Sequence, residues 1–509
     1  MIEIALRNLE IYNGAEPPFY GDIGVRGDRI VAVGGFTENA RTDIDCSGLT
    51  AVPGMIDAHN HSDATIINHR ECLSHLMQGV TTAVIGNCGH SAAPMDGHRR
   101  ADLKKQKKNI PPWRSYSDFV CFASEAGLNF APLVGQGSLR AVVVGYEDRS
   151  ASSAEVERMK QLLRDAMSQG AFGMSTGLIY PPGMYADEGE IVSLARVSAD
   201  VGGIYTTHMR SESDGLLEAV RESIRICTSA GLPLQIAHFK ACVERNWQKL
   251  HEAIDVIEQA RRAGLRVTVD RYPYTASSTS LDALLPDWCY NGGNLEELKR
   301  LNDPTVRQKI IQDLDKFRYF DKVMVVGASR DAGLDGMRIP EIAKQMKCGN
   351  AEAYVRVLME NELDVGANFF QMSEANLETV LCLPYCVIGS DASAENIQPD
   401  RGSVHPRKFG TFASFLRNFA GRIMSFEEAV AKVTSRTATI FHIQDRGVIG
   451  EGMFADIAVL DRDALQDNAT YIHPRRYGSG VVHVLLNGKH VVENRSFTGF
   501  CAGRILKKK

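Results

Sequence analysis

The middle of the chain alternates short apolar runs with segments whose apolar residues recur at helical spacing. Residues 152–170, SSAEVERMKQLLRDAMSQG, open with a capping-box pattern at Ser152 and Glu155, and apolar side chains recur every third or fourth position up to Gly170. The run AFGMSTG follows, and the order of helix and strand repeats through GIYTTHM, PLQIAHFK and RVTVDRYPY. Repeated strand–helix units predict a parallel sheet.

About eight such strands can be counted between residues 50 and 391, from MIDAHNH and GVTTAV to KVMVVGAS (322–329) and YCVIGSD (385–391). This number favours a closed (β/α)8 TIM-like barrel over an open doubly wound sheet. Residues 285–345 interrupt the rhythm with polar residues and with the breakers NGGN and NDP. We therefore predict an insertion there, which could act as a lid over the barrel mouth.

The two ends of the chain differ from its middle. Short alternating runs separated by Gly, Asn and Asp fill the first fifty residues and return in ADIAVLDRD and VVHVLLNGKHVVENRSFTG. This pattern is typical of hairpins. We predict a small β-sandwich domain built from residues 1–52 and 441–509, with the barrel occupying residues 53–440.

Composition limits the classes of function. The 509 residues are 44% hydrophobic and 23% charged with a net charge of −5 and no long basic run, so a nucleic-acid partner is not expected. No apolar stretch reaches the length of a membrane span, and the N-terminus does not resemble a signal peptide. Eleven cysteines without a repeating spacing argue against a disulfide framework and favour the reducing cytoplasm.

Residues that could carry chemistry follow the predicted strands at their carboxyl ends, which meet at the mouth of a barrel. They are His59, His61, Cys88, His208, His238 and Asp391. Each alone has an ordinary alternative, because a Cys beside an apolar strand is usually a buried hydrophobe, a His is usually structural, and an Asp can cap a helix. Together, imidazole and thiolate groups at one rim predict a catalytic zinc site.

The chain resembles the amidohydrolase superfamily and, more closely, the N-acyl-D-amino-acid deacylases (D-aminoacylases). The matching elements, in the family's order, are PGMIDAHNHSD, QGVTTAVIGNCG, GMSTGLIYPPGMYA, IYTTHMRSE, IAHFK, DRYPYTASST, IGSD, HPRKFGTF and GVIGEGMFADIAVLD. They cover most of the chain outside residues 280–380. The HxH pair belongs to the whole superfamily, whereas GNCG, STGLIYPP and HPRKFGTF are more specific to the deacylases.

The resemblance implies a metal role for five of these residues. His59 and His61 would bind one metal, His208 and His238 the other, and Cys88 would supply a thiolate shared by both or adjacent to both. In the family the Cys/His/His zinc is the tight one, and the HxH site is weaker and need not be full. Many related enzymes bridge two metals with a carbamylated lysine, but the strand GAFGMSTG contains no Lys. Cys88 is the group available in its place.

The resemblance also implies the reaction, which is hydrolysis of a linear amide that releases a carboxylate and a free D-amino acid. Zinc makes hydroxide accessible near pH 7, and Asp391 would act as general base and then acid. Tyr180, Lys240, Tyr272 and Arg407 would hold the small-molecule substrate's α-carboxylate, for which Arg offers a bidentate fork.

The chain departs from the family at two places, and one further histidine stays unassigned. The spacing between Asp391 and Arg407 is longer than expected, and Ser211 stands where an acidic or amide residue is expected. His90 matches no ligand position, so we expect it at the rim or behind the ligands.

Three other interpretations remain open. The chain could have another amidohydrolase activity (cyclic amidase, D-dipeptidase or deaminase), it could be a scaffold that keeps the barrel without catalysis, or Cys88 could be a redox thiol. The acyl group, the amino-acid side chain and the oligomeric state are not determined by the sequence.

Overall fold

The computed structural model describes residues 1–397 and 402–508. Its strands are β1 (Ile2–Ile11), β2 (Phe19–Arg26), β3 (Arg29–Gly34), β4 (Ala40–Asp45), β5 (Thr50–Pro53), β6 (Met55–Asp57), β7 (Val80–Ile85), β8 (Asn129–Gly135), β9 (Gly173–Gly177), β10 (Ile204–His208), β11 (Leu234–Ile236), β12 (Val267–Arg271), β13 (Ser277–Ser280), β14 (Val323–Val326), β15 (Gly366–Phe369), β16 (Cys386–Ile388), β17 (Ile457–Leu460), β18 (Val481–Leu486), β19 (Lys489–Glu493) and β20 (Ser496–Phe497).

The helices alternate with these strands through the middle of the chain. They are α1 (Leu73–Leu76), α2 (Gly97–Lys105), α3 (Tyr116–Phe122), α4 (Gln136–Val143), α5 (Ser153–Ser168), α6 (Glu188–Ala199), α7 (Leu216–Ala230), α8 (Lys249–Arg262), α9 (Asn294–Asn302), α10 (Pro304–Leu314), α11 (Ile339–Met346), α12 (Asn350–Glu360), α13 (Glu374–Cys382), α14 (Arg407–Asn418), α15 (Phe426–Val433) and α16 (Ser435–Ile440). None of these helices has the length and apolar character needed to cross a membrane.

Eight parallel strands form a nearly closed barrel in the order β6–β7–β8–β9–β10–β11–β12–β16. The two edge strands meet just beyond their ends, where the Ala58 N–H donates to the Ile388 carbonyl at 3.1 Å and the Asp391 N–H donates to the His59 carbonyl at 2.8 Å. Helices α5 to α8 pack side by side around this part of the sheet. The predicted (β/α)8 TIM-like barrel is confirmed.

Helix α5 shows how the sequence builds one barrel unit. The Ser152 hydroxyl accepts a hydrogen bond from the Glu155 N–H, and the Glu155 carboxylate accepts one from the Ser152 N–H, which satisfies two free donors at the helix start. Met159, Leu163 and Ala166 are buried on the inner face. Burial of a Met or Leu side chain stabilises the fold by roughly 1.5–3 kcal/mol.

A nine-stranded sheet is assembled from both termini. Its strands follow the order β20–β19–β18–β17–β5–β1–β2–β3, and β4 pairs with the other part of β1. Leu6, Ile23, Val459 and Leu485 belong to a hydrophobic core of this sheet that is distinct from the barrel core. The predicted small β domain with strands from both ends is confirmed.

The interruption of the barrel rhythm extends beyond residues 285–345. Strands β13, β15 and β14 form a separate antiparallel sheet, and helices α9 to α12 pack near it around their own hydrophobic core. The expectation that KVMVVGAS supplies a barrel strand is wrong, because Val323–Val326 pairs with Gly366–Phe369 in this sheet. The missing barrel strand is β8.

Candidate metal centre and active site

All six residues singled out at the strand ends lie at the carboxyl end of the barrel. His59 and His61 follow β6, Cys88 follows β7, His208 ends β10, His238 follows β11, and Asp391 follows β16. All of them except the fully buried His59 line a cavity of about 630 Å³, whose outer wall includes residues of β13 and the following turn. The parallel strands therefore bring residues more than 300 positions apart to one place.

Cys88 lies at the centre of this group. Its Sγ atom is 3.2 Å from His59 Nε2 and 3.6 Å from His238 Nε2. Asp391 Oδ1 lies 3.5 Å from His59 Nε2 and 3.2 Å from His61 Nε2. One donor atom from each of His59, Cys88, His238 and Asp391 falls within 4.8 Å of the other three. Imidazole nitrogen, thiolate and carboxylate oxygen are the donors that zinc takes in proteins.

The His208 side chain stands beside this group, and its Nε2 is 3.8 Å from Glu212 Oε2, beyond hydrogen-bond distance. Its ring centroid is 4.4 Å from that of His238, and its side chain is only 6% exposed. Neither ring nitrogen has a hydrogen-bond partner among the described residues. Burial lowers the pKa of His208, which favours the neutral ring with a free lone pair. A buried imidazole without a partner is costly, so this observation fits a residue that binds a metal.

The electrostatics of the site favour two anionic groups. Burial raises the pKa of the Cys88 thiol, but the charge of His59 and the contacts with His208, His238 and His59 together outweigh it, so that pKa lies well below the usual value. Burial acts in the same way on Asp391, and the Arg407 guanidinium, whose Nη1 is 2.8 Å from Asp391 Oδ2, lowers the pKa of this carboxyl well below its usual range. Thiolate and carboxylate are the forms that bind metal ions and accept protons.

Three residues of the site have a left-handed backbone. The φ angles are 51° at Cys88, 35° at His238 and 51° at Asp391. Few residues with a Cβ atom adopt this conformation, which costs about 1–3 kcal/mol and is concentrated at functional sites. Beside Cys88, the turn also needs Gly89, where a Cβ atom would lie 2.6 Å from the backbone nitrogen of Gly177. The GNCG turn therefore packs directly on β9 and aims the Cys88 side chain into the cluster.

Two acidic residues, neither assigned from the sequence, contact the Nδ1 atoms of His59 and His238, on the side of each ring that does not face Cys88. Asp270 Oδ1 lies 3.2 Å from His59 Nδ1 and accepts a hydrogen bond from the His238 N–H at 2.8 Å. Glu212 Oε1 lies 2.7 Å from His238 Nδ1. The available signals were a charged residue within the buried strand RVTVDR and the glutamate of IYTTHMRSE.

The four residues predicted to hold the substrate carboxylate lie in or directly behind the cavity wall. Tyr180, Lys240 and Arg407 line the cavity. Tyr272 is fully buried, its hydroxyl has no hydrogen-bond partner among the described residues, and the Arg407 guanidinium carbon is 4.6 Å from its ring centroid. Lys240 Nζ lies 2.5 Å from Glu212 Oε1, so its charge is already paired.

His90 lies at the rim of the cavity. It is exposed, and its ring centroid is 5.7 Å from that of Tyr180. It belongs to neither group of potential metal ligands found among residues 1–397 and 402–508.

Comparison with known proteins identifies the family of the chain. A model of the amidohydrolase family matches residues 417–492. The chain is 33% identical over 496 residues to the D-aminoacylase of Alcaligenes xylosoxydans xylosoxydans, an alignment that covers 96% of this chain and 93% of that protein. The chain belongs to the D-aminoacylase family of amidohydrolases.

Solved structures of this family have the same fold over their whole length. The N-acyl-D-glutamate deacylase of Bordetella bronchiseptica, crystallised with zinc and a phosphonate inhibitor that mimics the tetrahedral intermediate, matches with a TM-score of 0.85 and 29% identity over 99% of both chains. A D-aminoacylase structure matches with a TM-score of 0.85 and 31% identity over 100% of both chains. It is described as showing the functional role of a binuclear metal centre, with activation by one metal and attenuation by the second.

Proposed function

We propose that this chain is a zinc-dependent hydrolase of N-acyl-D-amino acids that releases a carboxylate and a free D-amino acid. The observation that carries this proposal is the convergence of Cys88, His208 and His238 with the Asp391–Arg407 pair in one cavity. The D-aminoacylase and the N-acyl-D-glutamate deacylase to which the chain is similar act on this class of substrate.

The proposed metal ligands divide into a tight and a weaker set. Cys88, His208 and His238 would hold the tighter zinc ion, and His59 with His61 would form the weaker site on the other side of Cys88. The unpartnered ring nitrogens of His208 support its place in the tighter set. When bound, zinc polarises the amide carbonyl and lowers the pKa of water to about 7.

Asp391 is proposed as the proton carrier. The Arg407 guanidinium keeps its carboxyl ionised, so Asp391 can accept the proton of the attacking water and then deliver it to the departing amide nitrogen. Tyr180, Lys240, Tyr272 and Arg407 are proposed to orient the α-carboxylate of the substrate. The unpartnered Tyr272 hydroxyl and the cationic groups of Lys240 and Arg407 supply donors for such an anion.

A chiral substrate panel tests this proposal. Purified protein, with its zinc content measured on the same sample, is assayed with N-acetyl-D- and N-acetyl-L-amino acids and with cyclic amides. We expect hydrolysis of D substrates in a zinc-containing protein. Turnover of L substrates or cyclic amides alone would favour another amidohydrolase activity, and a protein that neither contains zinc nor responds to it would favour the scaffold.

We also propose a cytoplasmic location and no nucleic-acid or membrane partner. All eleven cysteines are free, and the net charge is −5. Both facts suit a reducing compartment and a small-molecule substrate better than a polyanionic partner. We keep the predicted division at residues 1–52, 53–440 and 441–509 as a proposal, which limited proteolysis with mass spectrometry can test.

A further inference from the structure

His238 Nδ1 faces two groups of opposite hydrogen-bonding character. Glu212 Oε1 lies 2.7 Å from this atom and Lys240 Nζ lies 2.8 Å from it. Lys240 Nζ is also 2.5 Å from Glu212 Oε1 and 3.1 Å from the His238 carbonyl oxygen. The side chains of His238, Lys240 and Glu212 are 2%, 5% and 12% exposed. A carboxylate only accepts hydrogen bonds and an ammonium only donates them, so the two compete for the same ring atom.

The outcome of this competition decides whether His238 can bind a metal. Its Nε2 atom faces Cys88, with 3.6 Å between Nε2 and Sγ. A neutral imidazole has a lone pair at Nε2 only when its proton is on Nδ1, and that requires an acceptor at Nδ1. Glu212 is such an acceptor. If Lys240 donated to Nδ1 instead, the ring proton would lie on Nε2 and block coordination there.

Glu212 is close enough to be considered a ligand itself, since donor atoms of His208, Glu212 and His238 also lie within 4.8 Å of one another. The distance between Glu212 Oε1 and His238 Nδ1 argues against this. Two donor atoms on one tetrahedral zinc ion with bonds of 2.0–2.1 Å are about 3.3 Å apart, whereas the observed separation is 2.7 Å. That separation is typical of a charge-assisted hydrogen bond.

We propose that Glu212 is a positioning residue that holds the His238 proton on Nδ1 and engages Lys240, so that Nε2 is presented to the metal. This inference rests on the proposed zinc-dependent function. Lys240 then affects metal binding as well as any contact with substrate, because a Lys240 without Glu212 would compete for His238 Nδ1. Loss of partners behind a metal-bound histidine typically weakens metal affinity 10- to 100-fold.

Zinc affinity, measured by competition with a chromophoric chelator, tests the proposal without relying on activity. Glu212→Leu should bind zinc about 10- to 100-fold more weakly than wild type. Glu212→Gln keeps an acceptor oxygen and should lose less. Glu212→Leu/Lys240→Met removes the competing donor together with the unpaired charge, so it should fold well and recover part of the affinity. Asp214→Asn, an exposed carboxylate paired with Arg245 in the same loop, is the matched control and should bind zinc normally.

Cobalt(II) spectra at saturation separate positioning from ligation. The ligand-field bands and the thiolate-to-cobalt charge-transfer band should be the same in wild type and in the Glu212 variants, because the ligands are unchanged. Altered bands in Glu212→Leu, or unchanged zinc affinity in a folded Glu212→Leu, would overturn the proposal while leaving the zinc function intact. A wild-type protein that binds no zinc would overturn the proposed function and this inference together.

Discussion

Cys88 has a strained backbone, a buried side chain and a thiol whose pKa is lowered well below its usual value. Burial alone would make it an inert apolar residue, as it does for Cys72, whose thiol has its pKa raised by burial. The difference lies in the imidazoles of His59 and His238, both within hydrogen-bond distance of Cys88 Sγ. From the sequence, Cys88 could be identified only because histidines follow other predicted strands. A sequence shows neither the burial of a side chain nor the φ angle of the backbone.

Cys88→Ser should lose both zinc and hydrolysis. A serine hydroxyl does not ionise near neutral pH, so the anionic ligand is lost, and we expect activity to fall by about 100-fold or more. Zinc per chain, measured by elemental analysis, should fall in parallel. Cys121→Ser is the control, because Cys121 is exposed and belongs neither to the cavity lining nor to the groups of potential ligands. A Cys88→Ser protein that keeps zinc and turnover but loses peroxide sensitivity would indicate a redox thiol instead.

Asp391→Asn should reduce kcat by about 10²- to 10⁴-fold, the range attributed to general acid–base catalysis. The amide retains the shape of the side chain but cannot accept the proton. Zinc per chain is measured on the same sample, since Asp391 also lies near the ligand atoms of His59 and His61. A variant that keeps tight zinc and retains more than a tenth of the wild-type kcat would contradict the role of Asp391 as proton carrier.

At the scale of single elements, strand ends were easier to predict from the sequence than strand partners. Each predicted ligand lies within four residues of a barrel strand's carboxyl end, because a β-branched or apolar run followed by a polar residue is a local signal. The assignment of KVMVVGAS to the barrel was wrong, because an apolar run does not reveal which of two sheets a strand joins. Strand β8 was missed because Pro132 within NFAPLVG suggests a break. Glu212 and Asp270 act through contacts between elements, which no single segment encodes.

The turn after β7 provides a prediction at this scale. Gly89→Ala should weaken zinc binding, because the new Cβ would clash with the Gly177 backbone at 2.6 Å in addition to the strain of φ +73°. Gly27→Ala is the matched control, since Gly27 has φ +60° with nothing within 4 Å of its Cβ position. Both variants should lose about 1 kcal/mol of stability from the left-handed backbone, but only Gly89→Ala should bind zinc poorly. Equal zinc affinity in the two would contradict the role assigned to this turn.

The insertion helix α9 carries a buried carboxyl whose ionisation opposes folding. Glu297 is 2% exposed, its Oε1 has no hydrogen-bond partner among the described residues, and burial followed by the charge of Asp282 raises its pKa to about 9. The unfolded chain releases this proton near the usual pKa of glutamate, so stability should fall as the pH rises from there towards 9.

Glu297→Gln should therefore be more stable than wild type at pH 8 and nearly equal to it at pH 5. The difference in the free energy of unfolding between these pH values should reach at least about 1.4 kcal/mol, which corresponds to one pKa unit. Urea unfolding at both pH values measures it. An exposed counterpart, Glu296→Gln on the same helix, should show no such gain at pH 8, and a gain at pH 5 alone would contradict the raised pKa of Glu297.

At the scale of the whole molecule, a buried polar network joins the barrel to the sheet built from the termini. Asp456 Oδ2 accepts from the Asn129 amide of β8 at 3.1 Å, its Oδ1 accepts from the Asn487 N–H at 2.7 Å, and Arg446 pairs with the same carboxylate. Removing one partner of such a buried pair costs roughly 3–5 kcal/mol. The sheet and the barrel are therefore expected to unfold together.

Zinc should stabilise this cooperative unit as a whole, because its proposed ligands come from the ends of four barrel strands. An ion that binds only the folded chain adds RT ln(1 + [L]/Kd), or about 2.7 kcal/mol when its free concentration is 100 times Kd. Scanning calorimetry should show a higher Tm with zinc and a lower Tm after chelation, in one transition. In Cys88→Ser the Tm should respond far less to either treatment. If chelation leaves the wild-type Tm unchanged, or if it splits the transition, zinc does not bridge these strands.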